Sequence, residues 1–533
     1  MVAAHLQKRS LLVAVNALAG MSIFFFGYDQ GLMGGVNQST DYIRRMGLGH
    51  LAEDGSPVIT KTLLQGGIMA IFYLGTLVGC LAGGSFGDRY GRIGTIGLDA
   101  MLGSRFFNGI GTGILNGIVP AWASELSDYA SRGTFIAMEF TLNIFGVVVA
   151  YWLAYGVSFI DNGESEIRWR FPIAFQILPL LCLLAGCWAF PESPRWLVKA
   201  GRNEEALYIL GRLRGTEGED AGVAETECND IRRAIELERS SESTSYLHML
   251  LGWKSGRLHT GRRVQLVIWL QIIQCWTGIA GKPPASPTVP GADIEPLAIF
   301  HIAGFGPSKT QWVAGLNNIF YMFATFICVY TIDRIGRRWT LYWGSVGQGI
   351  AMFLVRGLSC GGLNARADGN IDTANQWGAA AASMVYLYTF IFGATWLTVP
   401  WLYPAEIFPI HIRAKGNSWV LAHASIYAPL VFCDSRLLRT LTLLLPYIVS
   451  AINEKMMYIF AVVNVLSIPI VYALYPESSQ RTLEEMDLLF AAPTPWAWDA
   501  EKTFARLKEE RDAAVEGVKD KNSETPAEFV ESV

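Results

Sequence analysis

Runs of roughly 20 mostly apolar residues recur along nearly the whole chain, and no other feature constrains its folding so strongly. A helix of that length satisfies its own backbone hydrogen bonds while crossing the hydrocarbon core of a bilayer, where an unpaired backbone group is costly. The runs at 11–34, 64–86, 102–123, 135–157, 171–190, 264–281, 313–332, 339–358, 379–402 and 456–475 read as such spans. With 51% hydrophobic and only 17% charged residues in 533, and a mean hydropathy of +0.30, no set of water-soluble cores could hide the apolar surface. The chain reads as an all-α polytopic membrane protein.

Charge and cysteine usage narrow the function classes. The 42 Lys and Arg against 46 Asp and Glu give a net charge of −4, with no basic footprint for nucleic acid. The eight cysteines are scattered without a CxxC pair, and no His cluster has metal-ligand spacing, so neither a disulfide framework nor a metal site is expected. No nucleophile, carboxylate pair or cofactor fingerprint falls on facing spans, and the expectation is a non-enzyme without a cofactor. Lys8 and Arg9 precede the first apolar run, but Tyr28, Asp29 and Gln30 follow it in place of a small-residue cleavage site. That run reads as a retained membrane span.

Basic clusters at Arg89/Arg92, Arg195/Lys199/Arg202, Arg334/Arg337/Arg338 and Arg413/Lys415 place these loops, and both termini, on the cytoplasmic side. The stretch 201–262 is rich in Arg and Glu with amphipathic pieces and reads as a helical cytoplasmic connector. Four regions follow: an N-terminal bundle over 1–200, the connector, a C-terminal bundle over 263–490, and a charged, disordered tail over 491–533.

The two bundles repeat one another. The string GDRYGR at 87–92 recurs as DRIGRR at 333–338, Glu125 precedes Arg132 by seven as Glu406 precedes Arg413, and PES at 191–193 recurs at 476–478. Two similar helical halves around a midplane site are what a carrier needs if one half is to rock against the other.

Together with GYDQG at 27–31, SRFFNGIGTG at 104–113, PESPRWL at 191–197, WLYPAEIFPIHIRAKG at 401–416 and PESSQRTLEEMD at 476–487, these motifs resemble the sugar porters of the major facilitator superfamily over about residues 11–490. The likeness to fungal hexose/monosaccharide–proton symporters implies the major facilitator fold, two six-helix bundles with twelve spans. It also implies alternating access, a monosaccharide such as a hexose or pentose as substrate, a proton as co-substrate, and residence in the lipid bilayer of the plasma membrane; the sequence leaves the oligomeric state open, a monomer among the options. Disaccharides, polyols, quinate-like acids, or a non-transporting sugar sensor are the other readings.

The resemblance assigns residues to roles. Asp29 inside the first span and Arg105 opening the fourth match the coupling pair of proton symporters. A carboxylate at mid-membrane costs about 2.5–3.5 kcal/mol on insertion scales, so it is expected to face a partner or a cavity. The solute site falls between the halves, with Gln274, Trp401 and Trp396 from family positions, Phe26 beside Asp29, and Asn317 and Asn318 as further polar candidates. Cys275, Ala280 and Phe140, which follows Glu139, replace polar family positions. Asp88, Arg92, Glu125, Arg132, Glu192 and Arg195 in one half, and Asp333, Arg337, Glu406, Arg413 and Glu477 in the other, form a cytoplasmic charge latch.

The repeat also exposes departures. Glu125 follows Asp88 by 37 residues, whereas Glu406 follows Asp333 by 73, an interval that holds two spans. Only 93–101 is left for the third span, which is therefore largely missing. Prolines at 283, 284, 287, 290 and 296 preclude a regular outer half of the seventh span, and Asp434, Arg436 and Arg439 interrupt the eleventh. Intact motifs on either side of each lesion point to mis-assigned exons or introns, with real divergence or pseudogene decay as the other readings.

Overall fold

The structure, a computed structural model, describes residues 8–36, 39–51, 57–59, 72, 74–76, 78, 105–126, 132–160, 165–187, 190–214, 221–239, 259–279, 307–408, 416, 456–481, 483–490 and 494–523. The expected third span, the outer half of the seventh, the eleventh span, and Asp88, Arg92 and Arg413 all lie outside the described residues. Arg105 and Arg132 belong to helices, but their side chains also lie outside that set.

In chain order the helices are α1 (Lys8–Val36), α2 (Thr40–Arg45), α3 (Arg105–Leu126), α4 (Arg132–Val157), α5 (Ile167–Phe175), α6 (Ile177–Cys187), α7 (Pro194–Lys199), α8 (Asn203–Arg214), α9 (Ala221–Arg239) and α10 (Thr260–Gln274), which runs into a π-helical turn at Cys275–Ile279. Then follow α11 (Pro307–Ile335), α12 (Arg337–Ala367), α13 (Ile371–Ala394), α14 (Val399–Ile407), α15 (Met456–Leu474), α16 (Leu483–Leu489) and α17 (Ala497–Ser523). Among the described residues seven segments are long and apolar enough to cross a membrane. Many of their large side chains point outward, with Trp343 65%, Phe353 59% and Val465 60% exposed. Such a surface needs lipid rather than water around it.

Small residues decide the closest packing. Alpha-1 and α4 run parallel, with Gly20 against Leu142, Gly27 and Gly146 at each other's level, and Gly31 and Gly35 against Val147 and Ala154. A Cβ at Gly27 would strike the Asn143 carbonyl, and one at Gly146 the Phe24 carbonyl. Asn143 Nδ2 donates to the Ile23 carbonyl at 3.2 Å across the same contact. Close backbone approach is how helices associate where lipid offers no hydrophobic drive. The other face of α4 enters the core of the second half, where Ile136, Phe140 and Ile144 pack with buried residues of α10 to α15. Alpha-4 thus joins the two halves.

Two features depart from the sequence expectation. A short antiparallel ladder, β1 (Gly49–Leu51) with β2 (Pro57–Ile59), interrupts an otherwise helical fold on the side expected to be extracellular. Beside it, Trp169 Nε1 donates to Asp41 at 2.9 Å and Arg45 binds the same carboxylate, which together hold the Asp41 carboxyl below its usual range. Where it is described the connector is helical, and with the short helix before it packs on the first bundle. Leu197, Leu210, Leu213, Ala224, Ile231 and Ile235 share a buried cluster with Leu11, Leu18, Ile114 and Leu126, because the apolar faces of α7 to α9 need cover. The tail expected to be disordered forms α17, whose Ala500 and Phe504 join the second-half core. Its Glu501 binds Arg481 at 2.6 Å and accepts from the Glu477 backbone at 3.1 Å. A charged sequence orders here because fixed partners wait for it.

Replacing Gly27 by Val is expected to cost about 1–3 kcal/mol through overpacking, read as a lower melting temperature of the detergent-purified chain. Gly156→Ala, where nothing lies within 4 Å of an added Cβ, is expected to leave that temperature unchanged.

Candidate functional site

Asp29 lies inside α1, 2% exposed. Its Oδ1 accepts hydrogen bonds from Gln176 Nε2 at 2.7 Å and Asn108 Nδ2 at 3.2 Å. Gln176 stands at the junction of α5 and α6, and Asn108 sits three residues past Arg105 in α3. One carboxylate therefore gathers three spans of the first half. Next to it, Tyr28 donates to the Pro172 carbonyl at 2.8 Å, and Phe26 is buried.

The opposite wall is a broken helix. Pro400 and Pro404 have no N–H, so the carbonyls four residues before them, Trp396 and Pro400, lose their helical donors. Gln274 Nε2 donates to Trp396 O at 2.8 Å, and Gln271 Nε2 donates to Pro400 O at 2.9 Å. Each glutamine supplies what a proline removed. Gln274 is thereby held against the break between α13 and α14, with its amide nitrogen engaged by backbone. Trp396 is fully buried, its Nε1 donating to Ser345 Oγ at 3.0 Å and to Leu341 O at 3.2 Å, so its indole nitrogen is used within the second half. Trp401 is partly exposed and faces Phe140 across the halves, ring centroids 5.5 Å apart.

A second break follows α10. Gly278 takes φ 124, where a side chain is strained and where a Cβ would meet Met352 and the Tyr388 hydroxyl. The Thr277 carbonyl left by the turn accepts from Asn464 Nδ2 at 2.8 Å and from Tyr388 OH at 3.4 Å. Asn317, on α11, lies 3% exposed with its Nδ2 3.5 Å from Thr389 Oγ1. Asn318 is half-buried beside it.

The inner ends of both halves share one construction. Ser193 Oγ donates to Glu125 in the first half, and Ser478 Oγ donates to Glu406 Oε2 at 2.6 Å in the second. Ser193 also caps α7, accepting from the Trp196 N–H at 3.3 Å. Glu192 accepts from the Ser193 N–H at 2.9 Å, and Arg195 is buried next to them. In the second half Arg337, 1% exposed, binds Glu406 Oε1 at 2.6 Å and Asp333 at 2.9 Å. Glu477 accepts from the Arg337 and Arg338 N–H groups at 2.9 and 3.1 Å, filling the orphan donors at the start of α12.

The halves meet through Asp333. Its Oδ2 accepts from the Thr134 N–H at 2.6 Å and the Thr134 hydroxyl at 2.7 Å. A carboxylate of α11 thus caps the N-terminus of α4, and Gly133 leaves room for it. Sequence reasoning passed over Ser193, Ser478, Thr134, Gln176, Asn108 and Gln271. The serines were within reach, since both close the repeated PES string.

Two matches to one family profile, sugar (and other) transporter, cover residues 14–98 and 93–490. The chain belongs to the sugar (and other) transporter family. It is 30% identical over 493 residues to the MFS-type transporter oryC of Aspergillus oryzae, covering 89% of this chain and 84% of that one. Its identity to the sugar transporter STL1 of Saccharomyces cerevisiae is 27% over 509 residues, covering 91% and 82%. The proton:xylose symporter XylE, solved with bound 6-bromo-6-deoxy-D-glucose, superposes with a TM-score of 0.72 at 20% identity, covering 91% of this chain and 100% of that one. The transporter therefore has the major facilitator fold, is an integral multi-pass membrane protein and is not an enzyme. The two profile matches overlap at 93–98, inside the interval read from the sequence as too short for a full span.

Gln271→Leu strands the Pro400 carbonyl in the core and is expected to cost about 1–3 kcal/mol, read as a fall in melting temperature with the oligomeric profile unchanged.

Proposed function

We propose that the protein carries a sugar, a hexose or pentose, across a membrane by alternating access coupled to proton symport. The observation that carries this reading is Asp29, a carboxylate buried in a membrane-spanning helix and held by groups from two other segments. A group so placed can exchange a proton when those segments move apart, since its charge is tolerated only while donors surround it. The relatives' names and the symporter of like fold support the substrate class and the coupling. Arg105 is assigned to coupling and Gln274, Trp401 and Trp396 to solute contact on family position, with Phe26 added as the neighbour of Asp29 and Asn317 and Asn318 as further polar candidates.

The inner charge cluster is the gate in this reading. Asp333 on Thr134 and Arg337 on Glu406 are contacts that a rocking motion must loosen or carry along as one body. Both termini are placed in the cytoplasm by the basic clusters, and the plasma membrane is assigned on the sugar-porter resemblance.

The replaced polar positions at Phe140 and Cys275, together with Gln274 being tied to backbone, favour a second substrate reading within the same mechanism: a small polar solute that needs fewer hydroxyl contacts than a hexose.

Uptake of labelled hexoses, pentoses and polyols by transport-deficient cells is the test. Asp29→Asn is expected to abolish uphill accumulation and the accompanying alkalinisation while leaving exchange intact; unchanged accumulation would overturn proton coupling. The shortened interval after Arg92 is expected to be filled in the transcript by an additional span. A cDNA that reproduces the chain residue for residue between 88 and 125 would refute that.

A further inference from the structure

Glu139 lies in the membrane-spanning part of α4, 0% exposed. Neither of its carboxylate oxygens has a hydrogen-bond partner among the described residues. Other buried acids here are met by donors: Asp29 by Gln176 and Asn108, Glu125 by Ser193, Asp333 by Thr134, and Glu406 by Arg337 and Ser478. An ionised carboxylate without donors inside a bilayer is too costly to persist, and a buried acid at such depth marks a functional position.

Its depth is given by the helix contacts. Backbone contacts put Gly27 of α1 level with Asn143 to Gly146 of α4. Glu139 lies four to seven residues below that level on α4, and Asp29 two residues above it on the parallel α1. At 1.5 Å per residue the two positions are about 9–14 Å apart along the membrane normal. Thr134, which holds the gate residue Asp333, lies about 7 Å further toward the inner end. Glu139 therefore stands between the coupling carboxylate and the cytoplasmic gate, on the helix that touches both halves.

The titratable and charged groups on the packed neighbours are Lys8, Arg9, Tyr28 and Asp29 on α1, Arg105 and Glu125 on α3, and Arg168 and Arg170 on α5. On α11 they are Lys309, Tyr321, Cys328, Tyr330, Asp333 and Arg334, and on α14 Tyr403 and Glu406. Tyr28 is spent on Pro172, Tyr403 donates to Pro476 O at 3.2 Å, and Arg170 pairs with Glu166 at 3.0 Å.

We propose that Glu139 is a second proton-carrying carboxyl of this transporter, protonated in the conformation seen here and discharging to the cytoplasmic side when the gate at Asp333 and Thr134 opens. The O–H bond formed on Glu139 in the closed state breaks on hydration, and the proton passes to cytoplasmic water with no redox partner. The proposal rests on the proton-coupled reading and extends its pathway from the outer half of the first bundle to the inner half.

Infrared difference spectra of the detergent-purified full chain at neutral pH test the protonation directly. A carbonyl stretching band of a protonated carboxyl is expected, shifted in Glu139→Asp, lost in Glu139→Gln and retained in Asp29→Asn. A parent spectrum without that band, or a band untouched by both Glu139 variants, overturns the proposal even if the chain moves no sugar. In proteoliposomes with labelled D-glucose, Glu139→Gln is expected to keep exchange at equal concentrations, since the amide mimics the neutral acid, and to lose pH-gradient-driven accumulation. If Asp29→Asn loses accumulation while Glu139→Gln keeps it in full, the Glu139 proposal fails and symport stands; if Asp29→Asn also keeps it, the coupled reading itself fails.

Discussion

The Arg337 guanidinium, removed from water and shared between Glu406 and Asp333, is the interaction on which the rest of the molecule depends. A buried cation is tolerated only when carboxylates and hydrogen bonds surround it, so its position fixes the ends of α11, α12 and α14 relative to one another. Asp333 then spends its second oxygen on the start of α4, in the other half. One chain of contacts, Glu406 to Arg337 to Asp333 to Thr134, therefore links the gate, the second bundle and the helix that carries the first bundle's packing. Charges that cannot be left alone in a bilayer become the joints about which the halves are placed.

The same demand explains the broken helix at the candidate site. Prolines at 400 and 404 break a spanning helix, and the break persists because glutamines of α10 donate to the two freed carbonyls. Gln274 is consequently a strut as well as a solute candidate, and a change there acts through the backbone of α14 before it acts on solute. The π-helical turn at Cys275–Ile279 repeats the pattern, with Asn464 and Tyr388 meeting the freed Thr277 carbonyl. At both described breaks the freed carbonyls are met by side chains of neighbouring helices.

Much of this was legible in the order of residues. Apolar runs announce helices because only a helix can cross hydrocarbon with its backbone satisfied, and the repeated acidic and basic motifs announce paired halves. Legibility failed where a role depends on what stands opposite. Gln176 and Asn108 are ordinary amides until the fold brings them to Asp29. Ser193 and Ser478 sit in a string noticed for its glutamates, yet their hydroxyls join each PES string to a glutamate at the end of an earlier helix, α3 or α14. The charged tail reads as solvated from composition alone, and it orders as α17 because Arg481 and the Glu477 backbone offer Glu501 fixed partners.

Sequence alone determined that the chain lives in a membrane, that it has two related halves, and that acids at 29, 333 and 406 would need partners. These follow from local composition and spacing, which need no knowledge of neighbours. Only the tertiary structure decided who the partners are: Thr134 rather than a cation for the second oxygen of Asp333, backbone carbonyls for Gln274, and no donor among the described residues for Glu139. Hydrogen bonding acts over about 3 Å, and which groups come that close is settled by how glycine faces such as Gly27 and Gly146 let the helices approach.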